Sequence, residues 1–197
     1  MVEDFKDISG KWVRSVNTLF GKKHTISGTL WENVVSRSRD GAEWRRNPNY
    51  IGTINLFNNF QEFAEWHTTR LGYNKGYVLD SDMFAPNHKQ YAPDTSVLLP
   101  QALNTFIARP LRTKGKYPTG MYFDTTRDLL LVQLHHPEGN RYHLGRYPLS
   151  CIEKAKEVYA KAKTEAGHWW YKELASGKYE VENRVVEFMK NYKFTHS

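Results

Sequence analysis

The sequence predicts an α+β protein in two parts: a small ββα-type module of short helices and a hairpin, then a three-stranded antiparallel sheet packed on a long helix. Three observations carry this. GMYFD (120–124), DLLLVQLHH (128–136) and NRYHLGRYP (140–148) are strand-like runs separated by the turn words TTR and PEG. A long stretch with Ile152, Ala155, Val158, Tyr159 and Ala162 at helical spacing follows them. Ahead of them, LDSDMFAPNHKQYAPDTSVLLPQALN (79–104) reads as a strand end, a loop, a second strand and a helix. The basic, Pro- and Gly-bearing connector RPLRTKGKYPTG, starting at Arg109, divides the chain into 1–108 and 109–197.

Element by element, Ser27 is placed to cap a helix over 28–38 with Trp31, Val34 and Val35 on one face. SRSRDGAEWRRNPNY is a polar, basic loop, and a short strand or turn follows at 51–56. Asn58 with Gln61 has capping-box spacing, and Phe60, Phe63, Trp66 and His67 form the apolar stripe of the helix after it. Gly72, Asn74 and Gly76 break the chain before a strand at 77–80. The loop around Pro86 and Pro93 leads to VLLP (97–100) and a short helix holding Asn104. Beyond the three strands, Ser150 is placed to cap the long helix, and a last helix over about 180–191 carries Val181, Val185, Phe188 and Met189 on one side.

With 197 residues, 40% hydrophobic and 14% aromatic, the composition is globular. No apolar run approaches a membrane span, and the opening MVEDFKD is acidic rather than signal-like, so a soluble, cytoplasmic protein is expected. Cys151 stands alone, which rules out an intramolecular disulfide and a Cys-based zinc site; it reads as a small buried residue near a helix start.

The net charge of +7 is unevenly placed. Residues 107–148 hold seven Lys/Arg against three Asp/Glu, with His135, His136 and His143 besides. A local excess of this kind attracts phosphate backbones.

In the first half, residues 79–104 have the layout of an HNH-type nuclease hairpin. Such a site needs a carboxylate, imidazole and amide set on a metal, and a His that activates water. The candidates are Asp80, Asp82, His88 and Asn104 as catalytic groups, with Asn87 in the loop. Asp80, Asp82 and His88 are the candidate ligands for Mg²⁺ or Mn²⁺. In a continuous strand, Asp80 and Asp82 share one face and Ser81 points away. Ser81 stands where the usual layout has the catalytic His, and a hydroxyl cannot replace an imidazole as base. Asp and Asn at strand ends also serve purely local turn hydrogen bonds.

In the second half, a three-stranded sheet backed by a helix can lie in the DNA major groove and present alternate side chains to bases and phosphates. Arg127, Gln133, His135, Arg141, His143 and Arg146 are the side chains placed there, with Arg109, Arg112, Lys114 and Lys116 as phosphate contacts from the connector. Of His135 and His136, one points into the fold and one away. Strict alternation puts Arg141, His143 and Gly145 on the face opposite Tyr142, Leu144 and Arg146.

From GKKHT (21–25) through WENVVSRS (31–38), NYIG (49–52), FQEFAEW (60–66), LDSD (79–82), KQYAPDT (89–95) and LLPQALN (98–104), the chain resembles a family of small phage proteins described as HNH homing-endonuclease-like. PTGMYFD and RYHLGRYPLSCIEKAKEVYAKAK are similar to the ethylene-response-factor-type DNA-binding domain often joined to them, whose Leu-Gly-x-Phe turn before the helix is matched by Leu144 to Tyr147. The resemblance implies double-stranded DNA as partner, in the cytoplasm of an infected bacterium. Relatives carry cysteines where this chain has Ser38, Thr53, Leu56 and Ser96, and Leu-Asp-Lys-Asp where it has Ser81, so the resemblance implies DNA binding more strongly than cleavage. Three readings follow: a DNA-binding protein with residual metal-dependent endonuclease activity, a non-catalytic DNA-binding regulator, or a phage protein that binds and inhibits a host protein. The last draws on Trp44, Trp169, Trp170, Tyr171 and Tyr179, since exposed aromatics mark protein interfaces.

Overall fold

The computed structural model describes residues 1–85, 88–108 and 116–196, and the chain forms two compact units, 1–99 and 100–197. It is a mixed α/β protein with six α-helices and several small sheets among the described residues. The helix that holds Asn104 groups with the second unit. No helix among the described residues is long and apolar enough to cross a membrane.

The first unit opens with the antiparallel hairpin β1 (Ser15–Thr18) and β2 (Gly21–His24), followed by α1 (Ile26–Arg37). Thr25, not Ser27, caps α1: its hydroxyl accepts from the Gly28 N–H. Helix α2 (Ala42–Arg46) leads to the two-residue strand β3 (Ile54–Asn55), and α3 (Phe60–Thr68) follows. The capping box of α3 lies one residue later than its spacing suggested. Asn59 Oδ1 accepts from the Glu62 N–H, and Glu62 reaches back to the N–H of Asn58. Strands β4 (Val78–Asp80) and β6 (Val97–Leu99) pair antiparallel, while β5 (Gln90–Tyr91) pairs parallel with β3.

An aromatic cluster holds this unit together. Trp31, Val34, Phe57, Phe63, Trp66, Leu79, Tyr91 and Leu98 are all buried, and Phe63 meets Trp31, Phe57 and Trp66 at ring-centroid distances of 5.1–5.8 Å. Ser38 Oγ donates to the Val34 carbonyl and Ser96 Oγ accepts from the Ala92 N–H. Thr53 is buried and Leu56 exposed.

Ser27 is used differently. Its backbone N–H and hydroxyl both donate to Asp4, which also accepts from Tyr73 Oη at 3.0 Å. Ser27 Oγ lies 2.7 Å from His67 Nδ1. Because a carboxylate can only accept, the Ser27 proton goes to Asp4, and His67 must then carry its proton on Nδ1. His67 is 2% exposed, and burial pushes its imidazole pKa down to about 4.

The second unit contains α4 (Gln101–Ala108), the sheet β7 (Met121–Asp124), β8 (Leu129–His135), β9 (Arg141–Tyr147), then α5 (Ile152–Ala175) and α6 (Asn183–Lys190). The sheet order is β7-β8-β9, antiparallel throughout. Leu130, Val132 and Leu134 bury one face of β8 beneath Ala155, Tyr159, Ala166 and Trp170 of α5. Strict alternation along β8 is what makes that face continuous. Lys163, 2% exposed, donates to the Phe106 carbonyl at 2.8 Å and sits over the Phe106 ring, placing a cation at the C-terminal turn of α4.

Two local expectations are corrected at the start of α5. Ser150 makes no capping hydrogen bond; it lies in a short 3₁₀ turn, Leu149–Cys151, that feeds the helix. Cys151 closes that turn and is exposed rather than buried.

Ser27→Ala removes the hydroxyl that links Asp4 to His67. Chemical denaturation at neutral pH is expected to show a loss of about 1–3 kcal/mol, the cost of leaving buried polar partners unmet.

Candidate functional site: the outer face of the sheet

The side chains on the sheet face away from α5 follow from the pairing register, since directly paired residues share a face. Four cross-strand rows result: Asp124 and Leu129; Tyr122, Leu131 and Arg146; Gln133 and His143; His135 and Arg141. The register shifts between Val132 and Gln133, where β8 advances one residue and β9 advances two. Leu144 is the extra residue of a β-bulge.

This bulge overturns the alternation expected from spacing. Without it, Arg146 lies with Tyr142 on the helix side. With it, Arg146 pairs with Leu131 and shares the outer face with Arg141 and His143. Gly145 makes the bulge affordable, with φ at +134°, and a Cβ there lies 3.0 Å from the Tyr147 ring. Tyr147 Oη donates to the Leu144 carbonyl at 3.2 Å and closes the distortion. The Leu-Gly-x-Phe-like word thus falls inside β9 rather than in a turn before the helix. A glycine inside a strand pattern is the sequence signal for such a bulge.

The outer face is basic and open. Arg141, His143, Arg146 and His135 are exposed. Gln133 Nε2 lies 3.1 Å from His143 Nδ1; with the amide donating, the imidazole proton sits on Nε2, which is left free to donate outward. His136 goes the other way, packing its ring against Tyr142 and Trp169. Arg127, in the β7–β8 turn, is exposed and hydrogen-bonded to Asp124 at 2.8 Å, and that bond holds the Asp124 carboxyl below its usual range. The pair is a surface one that phosphate can compete with. Lys116 is exposed at the start of the unit's described connector. Arg109, Arg112 and Lys114 lie outside the described residues. Tyr122, 57% exposed, and Leu131 add an apolar strip that spacing alone had not assigned to this face.

The acidic strand end of the first unit is built as a turn. Strand β4 stops at Asp80, so Asp80 and Asp82 do not lie along one strand face. Asp80 is buried, and its Oδ1 accepts from the backbone N–H groups of Asp82 at 3.1 Å and Met83 at 2.8 Å. That is the local turn use of a carboxylate. Burial raises the Asp80 pKa to about 6, and burial also raises that of Asp82. Ser81 is buried, while His88 is exposed with its backbone N–H on the Ala85 carbonyl. Asn87 lies outside the described residues.

Asp80, Asp82 and His88 do not form a three-donor group, and no cluster of three or more His, Cys, Asp and Glu side chains forms one among the described residues. Asn104 is on α4 in the other unit, with its Oδ1 buried and without a hydrogen-bond partner.

Of the five aromatics, Trp170 is buried and Trp44, Trp169, Tyr171 and Tyr179 are half-buried. Trp170 is buried between Trp169 and Tyr179, Trp44 Nε1 donates to the Arg37 carbonyl, and none of the five is exposed. Comparison with protein-family models, curated proteins and solved structures gives no match to this chain.

Two outcomes test this geometry. Gly145→Ala keeps every charge but strains the bulge; it is expected to lower the melting temperature measured by circular dichroism. Asp80→Asn retains the acceptor for both N–H groups and removes a buried charge. Since the folded pKa is raised from the ordinary 3.8 to about 6, ionisation costs stability as pH rises through that window. The variant is expected to be more stable than the parent at pH 7 by on the order of 1–3 kcal/mol, the gain vanishing below about pH 4. Urea unfolding across that pH range checks both parts.

Proposed function

We propose that this chain is a double-stranded DNA-binding protein of phage type, related to HNH homing endonucleases, that engages the duplex through the outer face of β7-β8-β9. The observation that supports it is the bulge-aligned row of Arg141, His143 and Arg146 with Gln133 and His135 across from them. A two-stranded or three-stranded ribbon of this kind fits the major groove, where Arg reads guanine or holds phosphate and Gln reads adenine. The apolar strip of Tyr122 and Leu131 can lie against sugar or a thymine methyl. In this reading the HNH-like strand end is a structural turn, with Asp80 closing the backbone rather than holding a metal.

The test is fluorescence anisotropy on a mixed-sequence duplex at several salt concentrations, with parallel reactions in Mg²⁺ and Mn²⁺ run after protein removal. Affinity is expected to fall steeply with salt, and Arg141→Ala and Arg146→Ala each to weaken binding by roughly 10-fold or more while flattening the salt slope by about 0.9 per lost phosphate contact. The duplex is expected to stay intact. Cleavage that Asp80→Asn abolishes restores the nuclease reading. Absent or salt-insensitive binding points to a protein partner instead.

A further inference from the structure

The β1–β2 hairpin of the first unit carries a feature that the sheet reading does not use. Its two-residue tip is Leu19–Phe20, 100% and 91% exposed. Turn positions normally carry Gly, Asn, Asp, Ser or Pro for conformational reasons, so two large apolar side chains there serve neither the turn nor a core. The tip is nonetheless ordered from within. Thr18 Oγ1 donates to the Gly21 carbonyl at 2.7 Å and accepts from the Phe20 N–H at 3.3 Å, and Gly21 takes the positive φ of +102°. Two lysines, Lys22 and Lys23, follow directly and are exposed, and Arg14 lies just before β1. No Asp or Glu occurs between Asp7 and Glu32, and Arg14 alone of these cations reaches Glu32, at 3.4 Å.

We infer that this hairpin is an apolar wedge for duplex DNA: Leu19 and Phe20 insert at a base step from the minor groove while Lys22 and Lys23 hold the flanking phosphates. The inference rests on the DNA-binding reading but uses a separate surface in the other unit. Size favours this occupant. Two side chains are far too little for a protein interface, which needs about 800 Å² per partner, whereas a Leu or Phe wedge between two base pairs is a known way to unstack and kink a duplex. The cationic flanks supply the complementary charge.

The experiment uses the full chain and a mixed-sequence duplex bearing dyes at its two ends and 2-aminopurine at internal A·T steps. The parent protein is expected to shorten the end-to-end distance, as a kink of roughly 20–90° requires, and to raise 2-aminopurine fluorescence through unstacking. The Leu19→Ala/Phe20→Ala variant is expected to bind with affinity reduced roughly 10-fold and to lose both signals. Lys22→Gln/Lys23→Gln is expected to flatten the salt slope by about 1.8. Since both tip side chains are exposed, an unchanged melting temperature confirms that the first variant is folded. Binding that needs Arg141 and Arg146 but leaves the duplex straight and stacked overturns the wedge and spares the sheet reading. Failure of the parent protein to bind the duplex overturns both. Tip-dependent binding to vesicles containing phosphatidylserine, without any distortion of the duplex, overturns the wedge in favour of a membrane surface.

Discussion

One extra residue in β9 decides which side chains share the outer face of the sheet. Regular pleating puts Arg141 and His143 on one side and Arg146 on the other, leaving neither face with a continuous basic edge. The bulge at Leu144 brings Arg146 round to join them, and it persists because Gly145 tolerates φ of +134° and Tyr147 ties off the Leu144 carbonyl. It needs a rigid backing, which α5 supplies by burying Leu130, Val132 and Leu134 against Ala155, Tyr159 and Trp170. Packing on one face therefore presets the chemistry on the other.

The first unit follows a different logic. Its aromatic cluster does the packing, and its polar side chains are spent on internal links: Asp4 gathers Ser27 and Tyr73, and Asp80 gathers two backbone N–H groups. His67 and Asp80 bear on acid stability in opposite directions. His67, depressed from 6.5 to about 4, makes the fold lose stability as pH falls through that range. Asp80, raised to about 6, makes it gain stability over much the same range. The two contributions therefore oppose one another between about pH 4 and pH 6.

The strands of the second unit were legible because Leu130, Val132 and Leu134 alternate with more exposed neighbours and TTR and PEG punctuate them. The stripe of α3 was legible for the same reason at helical period, with Phe63, Trp66 and His67 all buried. Register was not legible: the sequence contains Gly145, but only cross-strand pairing says which residue is extra. The β1–β2 hairpin escaped because it inverts the usual pattern, with polar strands around an apolar tip. Ser27 passed for a cap because Thr25, two residues earlier, is chemically equivalent; tertiary partners, Asp4 and His67, decided between them. Asp80 and Asp82 share a strand face only if the strand continues past Asp80, and it ends there.

The proposed DNA surface is the bulged face of β7-β8-β9. Titrating isotope-labelled protein with unlabelled duplex and following backbone amide resonances tests it most directly. Shifts are expected to concentrate on Gln133, His135, Arg141, His143 and Arg146, with the α5 residues that back the sheet largely unmoved. Shifts centred on α5 and Trp169, or a spectrum unchanged by saturating duplex, would contradict it.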